Sequence, residues 1–105
     1  MQIQFHTDST VERREKLTAY FGSVLENSLR RFSDRITLLE VHLSDERGFR
    51  HGQDARRCVL EARLKGRQSI AVTHQAATLV QAVDGAVDKL QRSIERTLDR
   101  LHDRD

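Results

Sequence analysis

From Leu79 to Leu101 the apolar residues Leu79, Val83, Val87, Leu90, Ile94, Leu98 and Leu101 return every three or four positions, which is the spacing of one face of an α-helix. A seam that long is not stable against water and needs a broad apolar surface to lie on. A chain of 105 residues holds material for one modest core and not for two. The preceding residues must therefore build that surface, and a single domain spanning residues 1–105 is the expectation.

Most of what precedes the seam alternates. In MQIQFHT, Ile3 and Phe5 face one way and Gln2, Gln4 and His6 the other, the period of a half-buried strand. DSTVERRE then opens a helix: Asp8, Ser9 or Thr10 can accept from the orphan amides of its first turn, and Glu12 and Glu15 suit the positive end of its dipole. The helix is expected to reach about Phe32, burying Leu17, Tyr20, Phe21, Val24, Leu25, Leu29 and Phe32, with Gly22 costing it about 1 kcal/mol relative to alanine. Ile36 to Ser44 reads as a second strand with Leu39, Val41 and Leu43 on one face and Glu40 and His42 on the other; Ile36 and Leu38 break the parity and call for a bulge or an early twist. Asp45 to Asp54 is polar, carries Gly48 and Gly52, and reads as a loop. Residues 55–74 form a hairpin turning at Lys65-Gly66, with Cys58, Leu60, Ala62 and Leu64 inward on the first arm, Arg57, Val59, Glu61 and Arg63 outward, and Ile70 and Val72 inward on the second. From Gln75 onward the period turns helical.

The order is β-α-β-β-β-α, an α+β chain. A crossover through a helix makes the first two strands parallel, and short connections make the others antiparallel. The expected architecture is a four-stranded mixed sheet with both helices on one face, leaving Gln2, Gln4, Glu40, His42, Arg57, Glu61 and Arg63 on the open face.

Net charge is only +2, yet 32% of the residues are charged and the isoelectric point is about 9.1, so the arrangement of charge has to indicate a partner, not its sum. On a helical wheel Asp84, Asp88, Glu95 and Asp99 form an acidic row beside the seam, and Lys89, Arg92, Arg96 and Arg100 fall on the other flank within an arc of about 80°. Pairs such as Asp88 with Arg92 describe an ordinary solvated flank. Self-paired helices interleave their signs, however, and these are sorted, so the cations form a line of about 16 Å that suits a phosphate backbone.

Other chemistries find little purchase. No run approaches the ~18 apolar residues of a membrane span, and the N-terminus has no secretion-signal layout, so a cytoplasmic protein without a membrane partner is expected. Cys58 is the single cysteine, which rules out an internal disulfide and leaves it as a small buried hydrophobe. His6, His42, His51, His74 and His102 lack metal-ligand spacing, no phosphate-binding glycine loop is present, and no nucleophile stands with a base. Neither a metal, a cofactor, a small-molecule substrate nor an enzymatic activity is expected. His6 and His42, as neighbours on the open face, read as polar surface.

The segment QAVDGAVDKLQRSIERTLDR, with RRFSDRITLLEVHLS closing the first helix and the same order of elements, resembles the ribosome hibernation-promoting factor family, which includes the ribosome-associated inhibitor protein Y and the sigma-54 modulation proteins. The resemblance spans the whole chain and is strongest at Asp88-Lys89-Leu90, Arg92 and Arg96. It implies a short form of a bacterial translational silencer that occupies the mRNA and tRNA channel of the small ribosomal subunit under stress or in stationary phase. Its implied partner is the 16S-type ribosomal RNA phosphates, with either a separate ribosome-dimerising factor beside them or inactivation of single ribosomes alone. The family's helix cations carry over to Lys89, Arg92 and Arg96, with Arg100 as an extension; Arg13, Arg30 and Arg31, together with Arg14 and Lys16, supply further charge from the first helix. The chain departs from the family pattern at Leu98 and His102, where lysines are common, and around Ala77 to Leu79, where an aromatic is common. These departures frame the alternative, a divergent protein-interaction module of the same fold with weak or no ribosome binding.

Overall fold

A computed structural model describes residues 1–8, 11, 13–45, 55–66 and 68–103, with side chains to Arg100. The alternating stretches form β1 (Gln2–Thr7), β2 (Ile36–Asp45), β3 (Arg56–Leu64) and β4 (Ser69–Ala76), and the helical ones α1 (Arg14–Ser28) and α2 (Leu79–Asp103). The sheet order is β1-β2-β3-β4, with β1 parallel to β2 and the other pairs antiparallel. The bulge that the parity break called for lies between Ile36 and Leu38, so that both Ile36 and Leu39 reach the core.

Side-chain alternation then sorts the sheet into two faces. Leu39, Val41 and Leu43 of β2 stand opposite Ala62, Leu60 and Cys58 of β3, and all six are buried under the helices. On the other face the rows run Gln4-Glu40-Glu61-Ala71 and His6-His42-Val59-Thr73 across the strands. Phe21, Leu25, Leu29 and Phe32 come down from α1 and the turn after it, and Val83, Val87, Leu90 and Ile94 from α2, to close one core. Ala82 and Ala86 are buried on α2 as well; their small side chains let that helix approach the sheet.

Four boundaries differ from the sequence reading. First, α1 begins at Arg14, later than Asp8 to Thr10 suggested, and its N-cap is Arg13 in the left-handed region with no side-chain cap. Its α-helical part stops at Ser28, and a single 3₁₀ turn at Arg30–Phe32 carries Phe32 into the core. Tyr20, assigned to the buried face, is 54% exposed, because α1 rests on the sheet along the narrower line of Phe21 and Leu25. Second, Asp45, assigned to the loop, ends β2, where its buried carboxylate forms an ion pair with Arg56, Oδ2 to Nε 3.4 Å; residues 46–54 lie outside the described residues. Third, strand pairing holds through Ala76, past Gln75. Fourth, Thr78 is the residue that starts α2: its hydroxyl accepts from the Gln81 amide at 3.1 Å and its carbonyl from Ala82 at 2.9 Å.

Cys58 is fully buried between the sheet and the helices, and desolvation pushes its thiol up to about 12. The native protein is therefore expected to resist a thiol reagent at pH 8 and to react fully once unfolded in denaturant. A raised folded pKa means that this site's contribution to stability is complete below about 9, the unfolded value, and fades as pH climbs toward 12. An absorbance assay of thiol release with and without urea checks the first point.

Candidate nucleic-acid interface

The helix α2 lies over β3 and β4, and β4 is an edge strand. An amphipathic helix at a sheet edge has two unlike flanks: one faces the neighbouring helix and the other overhangs the free edge. Gln91 Nε2 donates to the Ser28 carbonyl at 2.8 Å and Arg31 pairs with Glu95, so the acidic flank is the one turned toward α1. Lys89 Nζ donates to the Thr73 carbonyl of β4 at 2.8 Å, so the basic flank overhangs the edge. The sign-sorting seen on the wheel is thus a consequence of where α2 sits.

The individual cations are engaged unequally. Lys89 is spent on Thr73, where an ammonium over an edge carbonyl also blunts the strand against foreign pairing. Arg92 reaches back to Asp88 at 2.5 Å; both are exposed, and such pairs contribute only tenths of a kcal/mol. Arg96 and Arg100 are exposed and, among the described residues, have neither an ion-pair nor a hydrogen-bond partner.

The first-helix cations do not gather with them. Arg13 stands at the start of α1, about 22 Å along the helix from its end. Arg30 donates to Asn27 Oδ1 at 2.8 Å, and Arg31 lies 4.4 Å over the Phe32 ring while paired with Glu95, about 120° around α2 from Lys89. Arg13, Arg14, Glu15 and Lys16 line a separate groove. Two cations that the sequence reading did not gather with the stripe, Arg35 and Lys65, are brought together by a 2.8 Å hydrogen bond from the Lys65 amide to the Arg35 carbonyl. They lie 30 positions apart in the chain, and only the pairing of the hairpin with the turn before β2 makes them neighbours.

On the open face His6 and His42 stack with ring centroids 4.5 Å apart and planes 14° off parallel, and His6 Nε2 lies 3.3 Å from Glu40 Oε1. The groove beside them, about 500 Å³, is bordered by Arg57 and by Asp8, a mixture of signs with no net preference for a charged ligand. Among the described residues no three His, Cys, Asp or Glu side chains come together as a metal site, and no helix is long and apolar enough to cross a membrane.

A family model described as sigma 54 modulation protein / S30EA ribosomal protein matches residues 2–102. The chain belongs to that family. No curated protein matches it significantly. Among solved structures it is similar to the N-terminal domain of Thermus thermophilus Protein Y, at 24% identity and a TM-score of 0.67 over 92% of this chain and 99% of that one. It is also similar to a ribosomal subunit interface protein from Coxiella burnetii, at 16% identity and a TM-score of 0.61 over 94% and 99%. At these identities the two structures speak for the fold, which is the one described above.

Proposed function

We propose that this chain is a ribosome-binding translational silencer, seated in the mRNA and tRNA channel of the small subunit, which blocks that path by its bulk. The observation that carries the reading is the exposed cationic flank of α2, rigidly held over the edge of the sheet, in a member of a family that bears a ribosomal name. Structured RNA presents a deep, narrow major groove and a continuous phosphate surface, so a small basic domain engages it through shape and phosphate contact, without base readout. No step requires a catalytic group: the compact fold supplies steric exclusion, and Arg92, Arg96 and Arg100 supply the anchoring, with Lys89 contributing field from its place on Thr73.

Co-sedimentation of the purified protein with ribosomes at about 0.1 M and 0.5 M salt tests it, alongside translation in a cell-free extract. Binding that is present at low salt and lost at high salt, with inhibition of translation following the binding, is the expected result. Failure to bind at either salt would remove the silencing reading and leave the alternative, a module that docks another protein through the open sheet face or the sorted charges of α2.

The unequal engagement of the cations sets an order among single substitutions. Arg96→Ala is expected to weaken ribosome binding more than Lys89→Ala, because the Lys89 ammonium is held against β4 by the one of its three donors that bonds Thr73, whereas Arg96 reaches out with its whole guanidinium. Lys89→Ala is expected instead to cost up to ~1 kcal/mol of stability, the net worth of one hydrogen bond. Parallel binding titrations and urea melts of the two variants separate these effects.

A further inference from the structure

We propose that the open face of the sheet carries a slot for one unpaired purine base, guanine by preference, with His42 as its stacking wall, Val59 as its floor and Arg57 as the donor at its end. The inference is independent of the silencing reading, because α2 and its cations lie on the other side of the sheet.

Strand parity and register set the site. His6, His42 and Val59 form one row across β1, β2 and β3, and Ser44 and Arg57 stand side by side in the next row. All five line one groove of about 500 Å³, a volume in the range of sites for small organic ligands. The two imidazoles are stacked with centroids 4.5 Å apart. That separation is close to the ~4.8 Å between neighbouring strands, so the stack runs across the sheet. His6 therefore covers the β1 side of His42 and leaves the other ring face turned toward β3, where Val59 is far shorter than an imidazole. His42 is exposed and Val59 half-buried, so that face is open to a second planar ring. The contact of His6 Nε2 with Glu40 Oε1, 3.3 Å, holds the ring behind His42 in place before a ligand arrives.

The polar groups choose the ligand. Arg57 has no ion-pair partner among the described residues, and its Nε is shut away from water without a hydrogen-bond partner. An orphaned donor of that kind costs free energy, which a turn of the guanidinium toward an acceptor in the groove recovers. A phosphate is a poor acceptor here, since Asp8 stands on the rim. A neutral base suits both constraints: it stacks through its π-face and turns acceptors toward Arg57 from its edge. Guanine presents two of them, O6 and N7, side by side in the spacing of the arginine fork. Such a base comes either from a single-stranded stretch of RNA or from a free nucleotide.

The test titrates the full chain with guanosine, guanosine 5′-monophosphate, adenosine 5′-monophosphate and a uridine-rich RNA hexamer containing a single guanine, following the histidine ring protons by NMR. Shifts confined to His6 and His42 are expected, with guanosine as effective as its monophosphate because the slot takes the base. His42→Ala should weaken guanosine about tenfold, read from His6, whereas His42→Phe keeps a ring face and should retain it. Arg57→Ala should keep the stacking and erase a preference of about tenfold for guanine over adenine. Melting curves check that the variants fold. A response to the mononucleosides but not to the hexamer supports the slot and assigns it to free nucleotides; a response to the hexamer alone, lost when its guanine becomes uracil, supports it and assigns it to RNA. No shift at His6 or His42 with any ligand up to about 2 mM overturns the proposal. Binding that His42→Ala leaves unchanged, or binding of the monophosphate without guanosine, overturns it as well.

Discussion

Gly85→Ala is expected to destabilise the protein by about 1–3 kcal/mol, although alanine is the better helix former by about 1 kcal/mol. The reason lies under α2. His74 follows Ile70 and Val72 on the core-facing side of β4, opposite Cys58, and its ring fills the space left by the missing side chain of Gly85. A Cβ there would lie 2.0 Å from His74 Cδ2, 2.3 Å from Nε2 and 2.4 Å from Cγ. Contact with Cγ as well as the ring edge means that a small rotation does not clear it: either the imidazole leaves its rotamer or the helix lifts from the sheet. Gly22, by contrast, has only Phe5 near it, at an ordinary 3.8 Å, and Gly22→Ala is expected to be neutral or stabilising. The decisive comparison is a double-mutant cycle in urea. His74→Ala should restore most of what Gly85→Ala loses, giving a coupling of about 1 kcal/mol or more; additive losses, or a Gly85→Ala variant more stable than the parent, would show that the ring does not set the height of α2. The consequence reaches the interface, since lifting α2 would pull Lys89 from Thr73 and move the whole cationic flank relative to the hairpin.

That pairing of a glycine with a histidine shows where reading the sequence runs out. Period alone is enough to place Leu39, Val41, Leu43, Cys58, Leu60, Ala62 and Leu64 on the buried face and to anticipate the bulge at Ile36, because each strand's parity is written locally. The seam of α2 is legible for the same reason, and so is the sorting of its charges. Period does not tell how closely an element approaches its neighbour: Tyr20 has the right spacing for the core and stays out of it, because α1 rests on a narrower line than its wheel offers. Nor does it tell which of several equivalent cations is already spoken for. Lys89 and Arg96 look alike on the wheel, and only the position of β4's edge distinguishes them. The neighbourhood of Arg35 and Lys65 depends on tertiary pairing and leaves no local mark in the chain.

The largest functional effect is expected from replacing Arg92, Arg96 and Arg100 together by alanine. These side chains sit off the seam formed by Val83, Val87, Leu90 and Ile94, and the substitution breaks the exposed pair of Arg92 with Asp88, so stability should change by less than about 1 kcal/mol. Alanine's helix propensity offsets part of that. Binding should respond differently, and the salt series tells how. If each arginine neutralises one phosphate, the parent's affinity carries an extra dependence on salt with an exponent of about 0.7–0.9 per phosphate. Across a fivefold rise in salt, three such arginines make the parent's affinity drop roughly 30- to 80-fold more than the variant's. The two binding curves should therefore converge at high salt while remaining far apart at about 0.1 M. A variant displaced from the parent by the same factor at every salt would mean that the arginines act through shape or through the position of α2. A variant indistinguishable from the parent would mean that the anchoring lies outside this flank of α2. Leu90→Ala is the contrasting control: it should cost about 2–5 kcal/mol of stability through the cavity it leaves, yet whatever fraction remains folded should keep the parent's salt slope, because no cation has been touched.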